Sequence, residues 1–106
     1  MNFAVRIVNL YKHLSQNQRE NVLSKQLLRS GTSIGANYAE ATNAISKADF
    51  IAKISISLKE CTESKYWIEL LHRTEYLCDD EYESILSDCK EILALLTTTM
   101  KKSKEK

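Results

Sequence analysis

Glu40 and Glu60 are the residues from which acid–base chemistry could be built, because two carboxylates held close can divide the roles of proton donor and acceptor. A nucleophile would need an activating base, and no Ser, Thr or Cys in this sequence has an adjacent His and Asp to serve it. No catalytic residue is therefore assigned. A di-metal carboxylate site requires two Glu-x-x-His motifs and two further glutamates. Glu69 and His72 match that motif once, while His13 has no acid three residues before it. Zinc is equally poorly served: there is no Cys-x-x-Cys, and two distant histidines do not complete a tetrahedral set with Cys61, Cys78 and Cys89. Gly31 and Gly35 lack the following Lys-Ser/Thr of a phosphate loop. Neither a metal nor a cofactor is expected.

A polar line is the most informative feature that remains. At 100° per residue, Arg29, Ser33, Asn37 and Glu40 fall within about 80° of helix surface beside an apolar stripe. Gln26, Glu60 and Glu63 are the groups expected to meet it. One reading is a hydrogen-bonded network that fixes helix register, since polar groups at a seam are costly unless paired. The other is a ligand or subunit contact, with Arg29 and Asn37 donating and Glu40 accepting.

The elements that must position this line are helices. The 106 residues suffice for one domain, with no proline and only two glycines, so turn-rich β architecture is disfavoured. Phe3, Ile7, Leu10, Tyr11 and Leu14 give a first amphipathic helix over about Asn2 to Leu14. Asn17 and Glu20 have the form of a capping box that opens a second, running from about Gln18 to Asn43 along Leu23, Leu27, Ile34, Tyr38, Ala41 and Ile45. Gly31 and Gly35, one turn apart inside it, predict close approach by another helix, with a kink as the competing outcome.

Ser46 and Asp49 open a third helix of roughly 25–30 residues carrying Ile54, Leu58, Cys61, Ile68 and Leu71. Asp79 and Asp80 begin a fourth, with Ile85, Leu86, Cys89, Ile92, Leu93 and Leu96 in heptad-like spacing. The expected fold is all-α, an antiparallel up-and-down four-helix bundle over residues 1–100, followed by a disordered basic tail over residues 101–106. No stretch is apolar enough to span a bilayer, and the N-terminus has no signal-peptide pattern. A cytoplasmic protein without membrane contact is expected. The odd cysteine count then implies reduced thiols, all three fitting core positions. Of Tyr66 and Trp67, which point about 100° apart, one should be exposed or at an interface.

Formal net charge is only +1, but its distribution is uneven. From Met1 to Ser30, Arg6, Lys12, Arg19, Lys25 and Arg29 face one acid, Glu20; from Cys61 to Met100 nine acids face Lys65, Arg73 and Lys90. Such asymmetry suits head-to-tail contact between copies as well as a polyanion, and a solvated helix face explains it equally.

The segment from Gln26 to Ala41, QLLRSGTSIGANYAEA, resembles the hallmark of the bacterial four-helix bundle proteins named after 23S rRNA intervening sequences. Ser57-Leu58-Lys59-Glu60-Cys61 and Tyr66-Trp67-Ile68-Glu69-Leu70-Leu71 resemble their third helix, and the likeness extends over nearly the whole chain. The resemblance implies a homopentamer related to the accessory protein of diversity-generating retroelements, which binds nucleic acid and a reverse transcriptase. It marks Arg29, Ser33, Asn37, Glu40 and Glu60 as the recurrent positions. The expected function is a non-enzymatic oligomeric bundle that binds RNA, DNA or an RNA-containing complex, with Arg6, Lys12, Arg19, Lys25, Lys101 and Lys102 on phosphate. The alternative is a protein–protein adaptor that offers the acidic third and fourth helices to a basic protein partner.

Overall fold

The computed structural model describes residues 1–105. Four antiparallel helices make up the described chain: α1 (Asn2–Asn17), α2 (Leu23–Thr42), α3 (Lys47–Arg73) and α4 (Asp79–Lys104). They run up and down in a body of 48 × 20 × 19 Å, the long axis set by the 27 residues of α3 at about 1.5 Å each. Each helix packs on the next in sequence, whereas the backbones of α1 and α4 approach less closely. Arg6 bridges that wider gap, its guanidinium 2.7 Å from Asp88 and 3.3 Å from Glu81.

The core forms where the apolar stripes meet. Ile7 and Leu14 of α1, Leu27 and Ile34 of α2, Ile54, Ile68 and Leu71 of α3, and Ile85 and Leu96 of α4 are all buried. Two expected members of the α2 stripe are not: Tyr38 is half-exposed, and Ile45 lies beyond the helix end in solvent. Small residues line the α2–α3 seam, with Ser24, Ser30, Ser57 and Ser64 fully buried. Ser57 Oγ donates to the Ile34 carbonyl at 2.8 Å, and Ser64 Oγ lies 2.9 Å from both Ser30 Oγ and the Glu60 carbonyl. Hydroxyls that return their hydrogen bonds to backbone let two helices pack closely without an orphaned polar group.

The connection between α1 and α2 departs from expectation. Asn17 ends α1 rather than capping α2, Arg19 takes a left-handed φ of 56°, and α2 starts only at Leu23. Glu20 is the cap: its carboxylate accepts the backbone N–H groups of Val22, Leu23 and Ser24 at 3.0, 2.7 and 2.8 Å. One side chain thus satisfies three of the donors a helix start leaves unpaired. The start of α3 follows its sequence signal. Ser46 Oγ accepts from the Asp49 N–H at 3.0 Å, and α3 ends where Glu75, at φ 71°, lets the Tyr76 N–H return to the Leu71 carbonyl and the Glu75 N–H to that of His72.

Helix α4 continues through Lys101 and Lys102 to Lys104, where the sequence predicts a disordered tail. Three lysines in the last turn suit the negative end of the helix dipole, which supports the extra turn. Cys78 is also placed otherwise than expected: it precedes α4 as its exposed N-cap residue instead of joining the core. No described helix is long and apolar enough to cross a membrane.

Candidate functional site

The α2–α3 seam brings part of the expected polar line together around Arg29. Its guanidinium lies 3.1 Å from Glu60 Oε2 and also donates to Glu63, whose Oε1 accepts Trp67 Nε1–H at 3.2 Å. Glu60 is buried while the Arg29 side chain is half-exposed, so the pair closes the seam at its solvent edge. The indole hydrogen bond and the Arg29 hydrogen bond outweigh burial and hold the Glu63 carboxyl below its usual range. The Glu63 hydrogen bond in turn raises Arg29, against the opposing effect of burial and with help from the charge of Glu60.

The remaining members of the line do not converge on this cluster. Ser33 Oγ donates to the Arg29 carbonyl and Asn37 Nδ2 to the Ser33 carbonyl, both within α2. Glu40 pairs with Lys53 at 3.3 Å, sharing no partner with Glu60, and Gln26 is exposed without meeting the seam. A helix residue that satisfies itself on the carbonyl four positions back is not held out toward a partner. Glu40 and Glu60 therefore do not form a carboxylate pair, and both carry basic partners.

His72 stacks on Tyr82, ring centroids 3.8 Å apart, and its Nε2 lies 2.8 Å from Asp79. Among the described residues no three His, Cys, Asp or Glu side chains gather where they could hold a metal ion.

A family model for the 23S rRNA-intervening sequence protein matches residues 1–98. The chain belongs to that family. Among solved structures, the chain is similar to a protein of unknown function from the S23 ribosomal protein family of Bacteroides thetaiotaomicron, at 60% identity and a TM-score of 0.93. That likeness covers 94% of this chain and 93% of the other. No curated protein matches the chain.

In this member of the 23S rRNA-intervening sequence protein family, the basic residues marked for phosphate are scattered. Lys12, Arg19 and Lys25 lie within about two turns of the α1–α2 connection, all exposed and none in an ion pair among the described residues. Lys101 and Lys102 lie at the opposite end of the bundle, exposed beside Lys47 and Lys104. Arg6 differs from the rest of the set, because both of its terminal nitrogens already donate to carboxylates, one to Asp88 and one to Glu81. A guanidinium already bridging two carboxylates would have to give them up to reach a phosphate.

Sequence reading missed an apolar concave surface. A groove of about 600 Å³ opens between α2 and α4 beside the start of α1, floored by Gly31 and Gly35 and walled by Phe3, Tyr38, Ile92 and Leu95. Tyr38 and Leu95 are 48% and 63% exposed, well above what large core side chains show. The signal was present in the small residues Gly31, Gly35 and Ala39, four apart on one face of α2. Tyr66 is the exposed aromatic of its pair, edge-on to the half-buried Trp67 at 5.0 Å.

Proposed function

We propose that this protein is a non-enzymatic, self-associating four-helix bundle that binds RNA, or an RNA-containing complex, through the cations at the α1–α2 end. The observation that carries the reading is the exposure of Lys12, Arg19 and Lys25 without acidic partners, while Arg6, Arg29 and Lys53 are neutralised within the fold. Cations left in solvent can reach a phosphate without first giving up a carboxylate partner, whereas paired ones cannot. The name of the family, with its reference to 23S rRNA, agrees with such a partner.

Self-association, five copies being the number the family resemblance implies, rests on the apolar groove at Gly35, Tyr38 and Leu95. A second copy is the occupant that fits best, because acids at the α3–α4 turn, Asp79 and Asp80, can face the basic α4 terminus of a neighbour head to tail. Solution mass and the 260/280 nm absorbance ratio of untagged protein, before and after a high-salt wash, test both parts. The reading expects an oligomer carrying nucleic acid that salt removes, and its RNA binding should weaken in a Lys12→Gln, Arg19→Gln, Lys25→Gln variant. A monomer that retains no structured RNA at low salt would overturn it. An oligomer that ignores RNA but co-purifies with one basic protein would instead favour an adaptor using the acidic faces of α3 and α4.

A further inference from the structure

Two of the three thiols meet at the centre of the α3–α4 seam. Cys61 and Cys89 are both fully buried, with their sulfurs 3.9 Å apart. Cys61 Sγ lies 3.5 Å from the Cys89 carbonyl and Cys89 Sγ 3.6 Å from the Cys61 carbonyl. Such reciprocity requires the two residues to stand at one level of the antiparallel pair with their side chains directed at each other. Ile68, Leu71 and Ile85 belong to the same core, so the thiols sit where a purely structural residue would be apolar. Cysteine fills that role well, but two cysteines in sulfur–sulfur contact also carry a reaction that alanine or valine lacks.

A disulfide bond is about 2.05 Å long, so the sulfurs must close by roughly 2 Å, a distance within reach of side-chain rotation and a slight shift between helices. The product loses only two hydrogens and fits nearly the same volume. Its linkage would span α3 to α4 across the turn at Thr74–Cys78, leaving α1 and α2 outside the closed loop.

We propose that Cys61 and Cys89 are a modification site, a latent thiol pair that hydrogen peroxide converts to an intrachain disulfide locking α3 to α4. One sulfur, as its thiolate, attacks a peroxide oxygen; the O–O bond breaks, and hydroxide leaves with a proton to form water and a sulfenic acid. The second sulfur attacks the sulfenic sulfur, its S–O bond breaks, and the second water departs. Two thiols are oxidised and one peroxide is reduced to two waters. Burial controls access, so the reaction proceeds from transient opening of the α3–α4 seam rather than from the closed bundle. The hydrogen bond to Cys61 and then burial push the Cys89 thiol up. Cys78, exposed at the start of α4, belongs to no such pair and reacts independently.

The test uses the full chain carrying Cys78→Ser, which removes the exposed thiol and any link between copies. The protein is treated with hydrogen peroxide, quenched, denatured with an alkylating reagent, and weighed intact and after proteolysis. The expected product escapes alkylation at both positions, weighs two hydrogens less, yields one peptide pair joined through Cys61 and Cys89, and melts at a higher temperature until dithiothreitol restores it. Closing a loop of this length restricts the unfolded chain, which is why the melting point should rise. Full alkylation of both thiols after an exposure that oxidises Cys78 completely in the parent would overturn the proposal. So would added oxygen atoms on either sulfur without a linked peptide pair. Adding Cys61→Ala must abolish the linked pair and leave Cys89 alkylated or oxygenated; should that variant fold poorly, the chain with both thiols intact still decides.

Discussion

Gly31 faces Ile7 so closely that a methyl group on its Cα would come within 2.9 Å of Ile7 Cγ1, whereas the same group on Gly35 would meet nothing within 4 Å. Ile7 is fully buried and β-branched, so it cannot swing aside. Two glycines four residues apart on one helix thus serve different ends. Gly31 lets α1 rest on α2, while Gly35 leaves open space over the apolar groove that both glycines line.

Opposite stability changes follow for the two alanine variants. Overpacking at Gly31→Ala costs about 1–3 kcal/mol, from which the better helix propensity of alanine recovers about 1 kcal/mol. Gly35→Ala has only the propensity gain and should stabilise the monomer by up to about 1 kcal/mol. Urea denaturation midpoints would separate them, and a shift of the same sign in both would show that Ile7 does not set the α1–α2 distance.

Glu20 is predicted to carry a large share of the stability of the α1–α2 connection. Losing the acceptor for three backbone N–H groups in Glu20→Ala should cost about 2 kcal/mol, the upper end for a helix cap. Burial pushes the carboxyl up, but its hydrogen bonds to Ser24, Leu23 and Val22 together outweigh that and hold it low. A carboxyl lower in the folded state gives stability that is full above its unfolded pKa of about 4.3 and fades as pH falls through the folded value. Acid titration of the melting temperature should therefore be flatter below about pH 4 in Glu20→Gln than in the parent. Parallel curves would argue against the cap.

The helices were legible because their apolar stripes are strongly periodic, and Ser46, Asp49, Asp79 and Asp80 mark their starts by a mechanism local to the sequence. Asn17 misled for the same local reason: its spacing to Glu20 suits a capping box, yet Glu20 itself, not Asn17, reaches the open N–H groups. The Arg29–Glu60–Glu63 cluster could be anticipated from facing stripes. The self-bonding of Ser33 and Asn37 could not, because a side chain's choice between partner helix and own backbone depends on the spacing between helices. Arg6 looked like a surface cation in the same way, since its acids, Glu81 and Asp88, lie far off in sequence.

Glu75 occupies a left-handed conformation at the end of α3, with φ of 71°, where a side chain costs about 1–2 kcal/mol and glycine nothing. Glycine also gives the unfolded chain more freedom, which takes back part of the gain. Glu75→Gly should thus raise stability by about 0.5–1 kcal/mol, while Glu75→Val should lower it. Thermal melts of the two variants check the sign; a destabilised glycine variant would mean that the Glu75 side chain contributes more than its backbone strain removes.

Among the described residues Arg29 is the one basic group in ion pairs with both Glu60 and Glu63, so its removal should be felt through the carboxylates it leaves behind. Arg29→Ala is expected to cost about 1–2 kcal/mol, between a surface pair and a buried one because the arginine is half-exposed and Glu60 is not. Adding Glu60→Gln should recover part of that loss, since the buried charge then needs no partner, and the double-mutant cycle would give the coupling. The Glu63 carboxyl, held low first by Trp67 and then by Arg29, adds stability present above its unfolded pKa and lost as pH falls through the folded one. Arg29→Ala should shrink that acid-side loss without abolishing it, because the indole hydrogen bond to Glu63 remains. Additive single-mutant effects together with an unchanged acid limb would place Arg29 at the surface of the seam with no part in closing it.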